Sequence, residues 1–337
     1  MIVQMRHGAT QAQSEKVINF LKEKGFEIKD VSSDNVIIFG VIGDTKHLNA
    51  SDLEAFSGVF QVTRIQTPYK LVSRQFKNED TIIHIKDDIY IGEGYFEVIA
   101  GTCSVETKEI TEEVAMSLVS NGVKILRGGA FKPRTSPYSF QGLGVKGLEI
   151  LNEVKNKYNL VVVSEIVSEK DIPAFEKYVD IYQVGARNMH NYELLKTLGK
   201  KTKKPIILKR GLSATVEEWL MSAEYILSSG NPNVILCERG IRTFERYTRN
   251  TLDLQAVLAV KELSHLPIIV DPSHASGKYT MIEKLSLASL AVGADGVMVE
   301  IHPNPEFALS DGAQSLKLDK FSHMVKELNK LKKDLKK

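Results

Sequence analysis

The sequence predicts an α/β protein in two parts, a (β/α)₈ TIM barrel preceded by a small ferredoxin-like domain of βαββαβ order. From position 81 to the end, short apolar runs and amphipathic helical stretches alternate eight times. Eight such units in about 240 residues favour a closed parallel barrel over an open doubly wound sheet. Residues 1–66 carry strand and helix signals in the ferredoxin-like sequence. Charged residues gather just beyond the apolar runs of the second part, the end where barrels place their active sites.

In the first part, Ile2–Met5 reads as a strand and Gln11–Lys24 as an amphipathic helix. Phe26–Val31 and Val36–Ile42 read as two further strands, Ser51–Phe56 as a second helix and Val59–Ile65 as the last strand. Residues 67–80 read as a linker, and a domain this small more often binds an effector than performs chemistry. Arg6-His7-Gly8 after the first strand resembles a histidine phosphatase nucleophile motif, but a unit of this size cannot hold that fold, and a polar strand end entering a turn accounts for it.

Thr81–Ile85 and Ile89–Ile91 form a predicted hairpin ahead of the barrel, which occupies 81–337. Its strands are expected at Glu97–Ala100, Val123–Leu126, Leu160–Ser164, Ile181–Val184, Ile206–Leu208, Val234–Leu236, Ile268–Val270 and Gly296–Val299. The last helix is expected at Leu318–Leu335, where Lys332–Lys337 suits a helix C-terminus through the macrodipole.

Composition narrows the function classes. Lys and Arg total 44 against 42 Asp and Glu, so the chain lacks the basic excess of a nucleic-acid binder. The two cysteines give no disulfide framework and fit a reducing cytosol. MIVQMRHGAT lacks the apolar core of a signal peptide, and the most apolar long stretch, Leu285–Val299, is broken by Gly293 and Asp295. The expectation is a cytoplasmic protein with no membrane or nucleic-acid partner.

Two sets of residues stand at the predicted strand ends. Arg127, Lys132, Arg134, Arg187, Lys209 and Arg239 follow strands two, four, five and six. One such cation is often a salt-bridge partner; six at one barrel mouth call for anions, more than one phosphate and a carboxylate. Thr135 and Ser136 add hydroxyls beside Arg134. The second set, Cys103, His274, Glu300 and Asp311, follows strands one, seven and eight, which are neighbours in a closed barrel. A thiolate, an imidazole and two carboxylates suit a divalent transition metal such as Mn, Fe, Co or Zn, although each residue taken singly has an ordinary structural role. His302 is a rival ligand ranked below His274, and Cys237, inside strand six, reads as core.

LRGGAFKPRTSPYSFQG, GARN, KRG, CERGIRTFE, DPSH and the Glu300…Asp311 segment together closely resemble 3-deoxy-D-arabino-heptulosonate 7-phosphate (DAHP) synthase, in its smaller microbial form with a ferredoxin-like extension. The resemblance implies a metal-dependent, aldol-like condensation of phosphoenolpyruvate with erythrose 4-phosphate, giving DAHP and phosphate at the start of the shikimate pathway. It implies that Arg127, Lys132, Ala186, Arg187, Lys209 and Arg239 hold phosphoenolpyruvate. The segment Lys132-Pro133-Arg134-Thr135-Ser136 would then bind the sugar, with Arg134, Thr135 and Ser136 nearest its phosphate. Cys103, His274, Glu300 and Asp311 match the family's metal ligands. The metal would polarise the aldehyde, C3 of the enol phosphate would add to it, and water would attack C2 before phosphate departs. Lys209, in surroundings expected to be cationic, is the candidate for proton transfer.

One departure from the family's usual Gly-Pro-Cys-Ser is Thr102 before Cys103, which removes a fixed φ and adds an N–H. The nearest rival is the sister enzyme that makes 3-deoxy-D-manno-octulosonate 8-phosphate from arabinose 5-phosphate, but it typically has Lys-Ala-Asn-Arg-Ser where this chain has Lys-Pro-Arg-Thr-Ser. A Schiff-base aldolase using Lys209 is a rival of a different class. The resemblance further implies feedback inhibition by tyrosine or phenylalanine through residues 1–66, and a homotetramer.

Overall fold

A computed structural model describes residues 1–32, 36–64, 67–133 and 136–335. The chain divides into two compact units, Met1–Glu79 and Asp80–Lys337.

The first unit contains β1 (Ile2–Met5), α1 (Gln11–Glu23), β2 (Glu27–Asp30), β3 (Ile38–Ile42), α2 (Ala50–Glu54) and β4 (Val59–Thr63). Its strands form an antiparallel sheet in the order β2-β3-β1-β4, the ferredoxin-like arrangement. Helix α1 starts where Thr10 and Gln13 form a reciprocal capping box, and it buries Val17 and Leu21. These meet Val3, Phe39, Val41, Leu53 and Val59 in one apolar core. The stretch read as a linker falls with this unit up to Glu79: a Cβ on Gly40 would lie 2.0 Å from the Phe76 ring. Ile65, expected at the end of the last strand, and Gln66 lie outside the described residues.

In the second unit β5 (Ile83–Lys86) and β6 (Ile89–Ile91) form the hairpin. Then come β7 (Glu97–Gly101), α3 (Lys108–Ser120), β8 (Ile125–Arg127), α4 (Val145–Tyr158), β9 (Val161–Ile166), α5 (Ile172–Tyr178), β10 (Ile181–Val184) and α6 (Tyr192–Lys201). The remainder is β11 (Ile206–Lys209), α7 (Val216–Ser228), β12 (Val234–Glu238), α8 (Gln255–Leu263), β13 (Ile268–Val270), α9 (Pro272–Ser276), α10 (Tyr279–Ala291), β14 (Gly296–Glu300) and α11 (Leu318–Leu335). Strands β7 to β14 pair in sequence order and close, β14 lying parallel to β7.

Apolar side chains from every barrel strand (Ile99, Ile125, Val163, Ile181, Ile207, Ile235, Ile269 and Met298 among them) share one buried cluster with Ile83, Ile89 and Ile91 of the hairpin. The barrel is therefore a packed core rather than a pore. Several strands run one or two residues further than their apolar runs, through Gly101, Arg127, Ile166, Lys209, Glu238 and Glu300. Polar residues at these ends still extend the backbone ladder because barrel closure, not side-chain apolarity, decides where pairing stops. Lys336 and Lys337, expected at the helix end, lie outside the described residues. No helix among the described residues is long and apolar enough to cross a membrane.

Candidate active site

The barrel strands deliver their charged ends to one cavity of about 370 Å³. Lys132, Pro133, Ser136, Ala186, Arg187, Lys209, Arg239, His274 and Asp311, all expected at the site, line it. Arg134 and Thr135 lie outside the described residues.

Backbone shape explains two of these placements. Gly101 ends β7 at φ +157°, and a Cβ there would meet the Arg127 carbonyl oxygen at 1.9 Å. Strand β7 can therefore lie against β8 and turn into Thr102 and Cys103 only without a side chain at that position. Gly185 does the same for Arg187: a Cβ would lie 2.1 Å from Glu165 Oε1, so the loop after β10 closes down on the carboxylate at the end of β9.

Cys103, His274, Glu300 and Asp311 converge, each offering a donor atom within 4.8 Å of the others. Cys103 Sγ donates to Asp311 Oδ2 at 3.2 Å, and Lys132 Nζ donates to both Sγ and the carbonyl oxygen of Cys103, at 3.1 and 3.0 Å. His274 Nδ1 lies 2.7 Å from Asp271 Oδ2, so that nitrogen carries the proton and Nε2 turns its lone pair toward Glu300 Oε1 at 3.3 Å. Glu300 also accepts from Arg127 Nη1 at 2.5 Å and from Gln314 Nε2 at 2.6 Å. His302 is outside this set; its Nε2 lies 3.5 Å from Glu106.

Protonation follows from burial and charge. Burial pushes the Cys103 thiol up to about 12 and lowers the His274 imidazole. Burial alone would raise the acids, but His274 and Arg127 hold Glu300 below its ordinary value, and Arg249 with His274 brings Asp311 down to about 2. At neutral pH the cluster is a thiol, a neutral imidazole and two carboxylates. An imidazole lone pair aimed at a carboxylate, beside a second carboxylate, is an arrangement that a cation completes.

Two expectations need correcting in detail. Arg127 is 3% exposed and paired with Glu300, outside the cavity lining, so the cations do not all face the mouth. Lys209 does not stand among cations alone: its Nζ contacts Asp271 Oδ2 at 2.5 Å, both side chains being buried. Lys209 ends β11 and Asp271 follows β13, the two strands that flank β12, so closure of the barrel brings these charges together, which neither apolar run discloses.

Comparison with known proteins identifies the family. Residues 80–337 match the DAHP synthetase I family, and residues 1–67 match the DAHP synthase ferredoxin-like domain. The chain belongs to the DAHP synthase family. It is 50% identical over 331 residues to a phospho-2-dehydro-3-deoxyheptonate aldolase of Thermotoga maritima, covering 98% of this chain and 97% of that one. The crystal structure of the T. maritima DAHP synthase superposes with a TM-score of 0.79, covering 99% of this chain and 97% of that one. A truncated form of the T. maritima enzyme, 52% identical, covers 79% of this chain and 97% of its own, with a TM-score of 0.74. A 2-dehydro-3-deoxyphosphooctonate aldolase of Geobacter sulfurreducens is 32% identical, over 68% of this chain and 90% of its own. This family member is thus a transferase-type enzyme with two family-specific domains.

Several site residues of this DAHP synthase relative escaped the sequence reading. Asp271 begins DPSH, yet only the fold shows one of its oxygens taking bonds from both Lys209 and His274. Arg242, Arg249 and Asn250 line the cavity from the loop after β12; Arg242 lies within CERGIRTFE, whereas Arg249 and Asn250 had no local signal. Arg249 Nη1 donates to Asp311 Oδ1 at 3.2 Å and Gln314 Oε1 at 2.8 Å, linking the cavity wall to the ligand cluster. Glu165, one residue past the expected strand Leu160–Ser164, lines the cavity and accepts from Gln183 at 2.9 Å.

Proposed function

We propose that this protein condenses phosphoenolpyruvate with D-erythrose 4-phosphate to give DAHP and inorganic phosphate, using a divalent metal held by Cys103, His274, Glu300 and Asp311. The observation that carries the reading is the shared cavity: Lys132, Arg187, Lys209 and Arg239 line it together with His274 and Asp311 of the ligand cluster. Substrates bearing two phosphates and a carboxylate match those cations, and an aldehyde matches the cluster beside them.

The donor set fits a transition metal such as Mn, Fe, Co or Zn: one sulfur, one nitrogen and two carboxylates, with the imidazole oriented through its other nitrogen by Asp271. When bound, the ion supplies Lewis acidity that polarises an aldehyde oxygen. The protein's own groups do the remainder. Lys132, Arg187, Lys209 and Arg239, with the Ala186 backbone, hold phosphoenolpyruvate and orient C3 toward the sugar, while Arg127 stands behind them in its ion pair with Glu300. Pro133, Arg134, Thr135 and Ser136 take the sugar and its phosphate. Carbon–carbon bond formation leaves positive character at C2, which water attacks before phosphate departs. Lys209 Nζ, held against Asp271, moves the proton.

We further assign the first unit a regulatory role, in which tyrosine or phenylalanine binds it and shifts the enzyme toward an inactive state. A homotetramer is the expected assembly, measurable by light scattering.

The test is phosphate release from phosphoenolpyruvate with erythrose 4-phosphate or arabinose 5-phosphate, each with Mn²⁺ and with excess chelator. Activity with the four-carbon sugar that chelator abolishes supports the reading. Activity that survives thorough chelation removes the metal role. Preference for the five-carbon sugar would assign the chain to octulosonate synthesis, and borohydride trapping at Lys209 would indicate a Schiff base.

A further inference from the structure

Glu106 and His302 form a buried acid–imidazole pair that substrate and metal binding leave unused; their side chains are 5% and 4% exposed. Asn304 N–H donates to His302 Nδ1 at 3.0 Å, so the ring proton sits on Nε2, which stands 3.5 Å from Glu106 Oε2 without making a hydrogen bond to it. The other Glu106 oxygen, Oε1, accepts from Leu309 N–H at 2.9 Å. Beside them the Ser104 and Ser310 hydroxyls bond at 2.7 Å. Residues 104–106 after β7 are thus bonded to residues 309–310 after β14 at two points, with His302 packed against the same carboxylate.

Each bonded segment carries a member of the ligand cluster at its edge: Cys103 precedes Ser104, and Asp311 follows Ser310. Asp311 adopts φ 53° and ψ 32°, a left-handed conformation that aspartate takes more readily than most residues and that sets the direction of its carboxylate. We propose that Glu106 is a positioning residue for Asp311. With His302 it clamps the loop after β14 onto the loop after β7, fixing the spacing of Cys103 and Asp311 as ligands. The clamp rests on the metal reading above. The carboxylate also has a reason to stand here: the Leu309 N–H on one loop takes its acceptor from the other, and the His302 imidazole lies against the same group.

The experiment uses the full chain, freed of metal and titrated with Co²⁺, following the thiolate-to-cobalt charge-transfer band, the d–d bands and the heat of binding. Glu106→Ala is expected to weaken Co²⁺ binding by about 10- to 100-fold. Its d–d envelope should change as Asp311 is lost, while the charge-transfer band from Cys103 remains. Glu106→Gln keeps an acceptor for Leu309 N–H and should recover affinity to within about threefold of wild type. A residue that merely supports the fold would lower the melting temperature without altering the cobalt spectrum. Should Glu106→Ala not fold, Ser310→Ala removes one bond of the same clamp and should shift affinity and spectrum in the same direction. Wild-type affinity and spectrum in the folded variant would overturn the clamp. A wild-type chain that takes up no cobalt would instead refute the metal reading beneath it.

Discussion

Replacing Asp271 by asparagine changes one atom and tests how the two halves of the site are joined. Asp271 Oδ2 accepts from Lys209 Nζ at 2.5 Å and from His274 Nδ1 at 2.7 Å, while Oδ1 accepts the His274 backbone N–H at 2.9 Å. An asparagine has one acceptor oxygen. If it faces Lys209 and His274, the amide NH₂ confronts the His274 backbone N–H; if it flips, the NH₂ confronts an ammonium and an imidazole N–H. At least one bond is lost in either orientation, together with the negative charge that His274 and Lys209 stabilise, against burial, well below the ordinary carboxylate range. Breaking a buried ion pair costs about 3–5 kcal/mol, and each charge-assisted bond is worth about 1.5–3 kcal/mol. We expect kcat/KM to fall by about 100-fold or more, metal affinity by about 10- to 100-fold, and the thermal midpoint by several degrees. Steady-state phosphate release, metal titration and calorimetry read the three quantities. Turnover and metal affinity both within threefold of wild type would show that the shared oxygen joins nothing of consequence.

Lys209→Met, which retains length without charge, should lower kcat by about 10²- to 10⁴-fold if Lys209 transfers the proton; near-normal turnover in a folded variant removes that role. Metal binding should tighten as pH rises. The metal-free Cys103 thiol lies up at about 12, while the His274 imidazole is lowered and already neutral near pH 7, so binding as thiolate expels one proton. Affinity should then climb about tenfold per pH unit between roughly pH 7 and 9, and calorimetry in buffers of different ionisation enthalpy checks the released proton; a flat profile contradicts a thiolate ligand. Removing residues 1–79 should leave an active barrel that tyrosine and phenylalanine no longer inhibit. If the intact chain already ignores both amino acids, the regulatory reading fails.

The architecture and most of the chemistry-bearing residue types could be read from the order of residues alone. Alternating apolar and amphipathic stretches are local patterns, so eight strands and the βαββαβ unit were legible before any contact was known. The four ligand-type residues and the cavity's main cations could likewise be placed, because a residue just past a barrel strand must arrive at the same end of the barrel. Their pairing was another matter. That Arg127 spends its charge on Glu300, 173 residues away, or that Lys209 and His274 share one oxygen of Asp271, depends on strand register and side-chain reach across the barrel. Arg249, Gln314 and Glu106 sit in loops with no periodicity to mark them, and their roles come from the atoms they meet. Sequence pattern fixes which end of an element a side chain occupies; which proton, charge or oxygen it faces is a distance in three dimensions, and the closed barrel decided it.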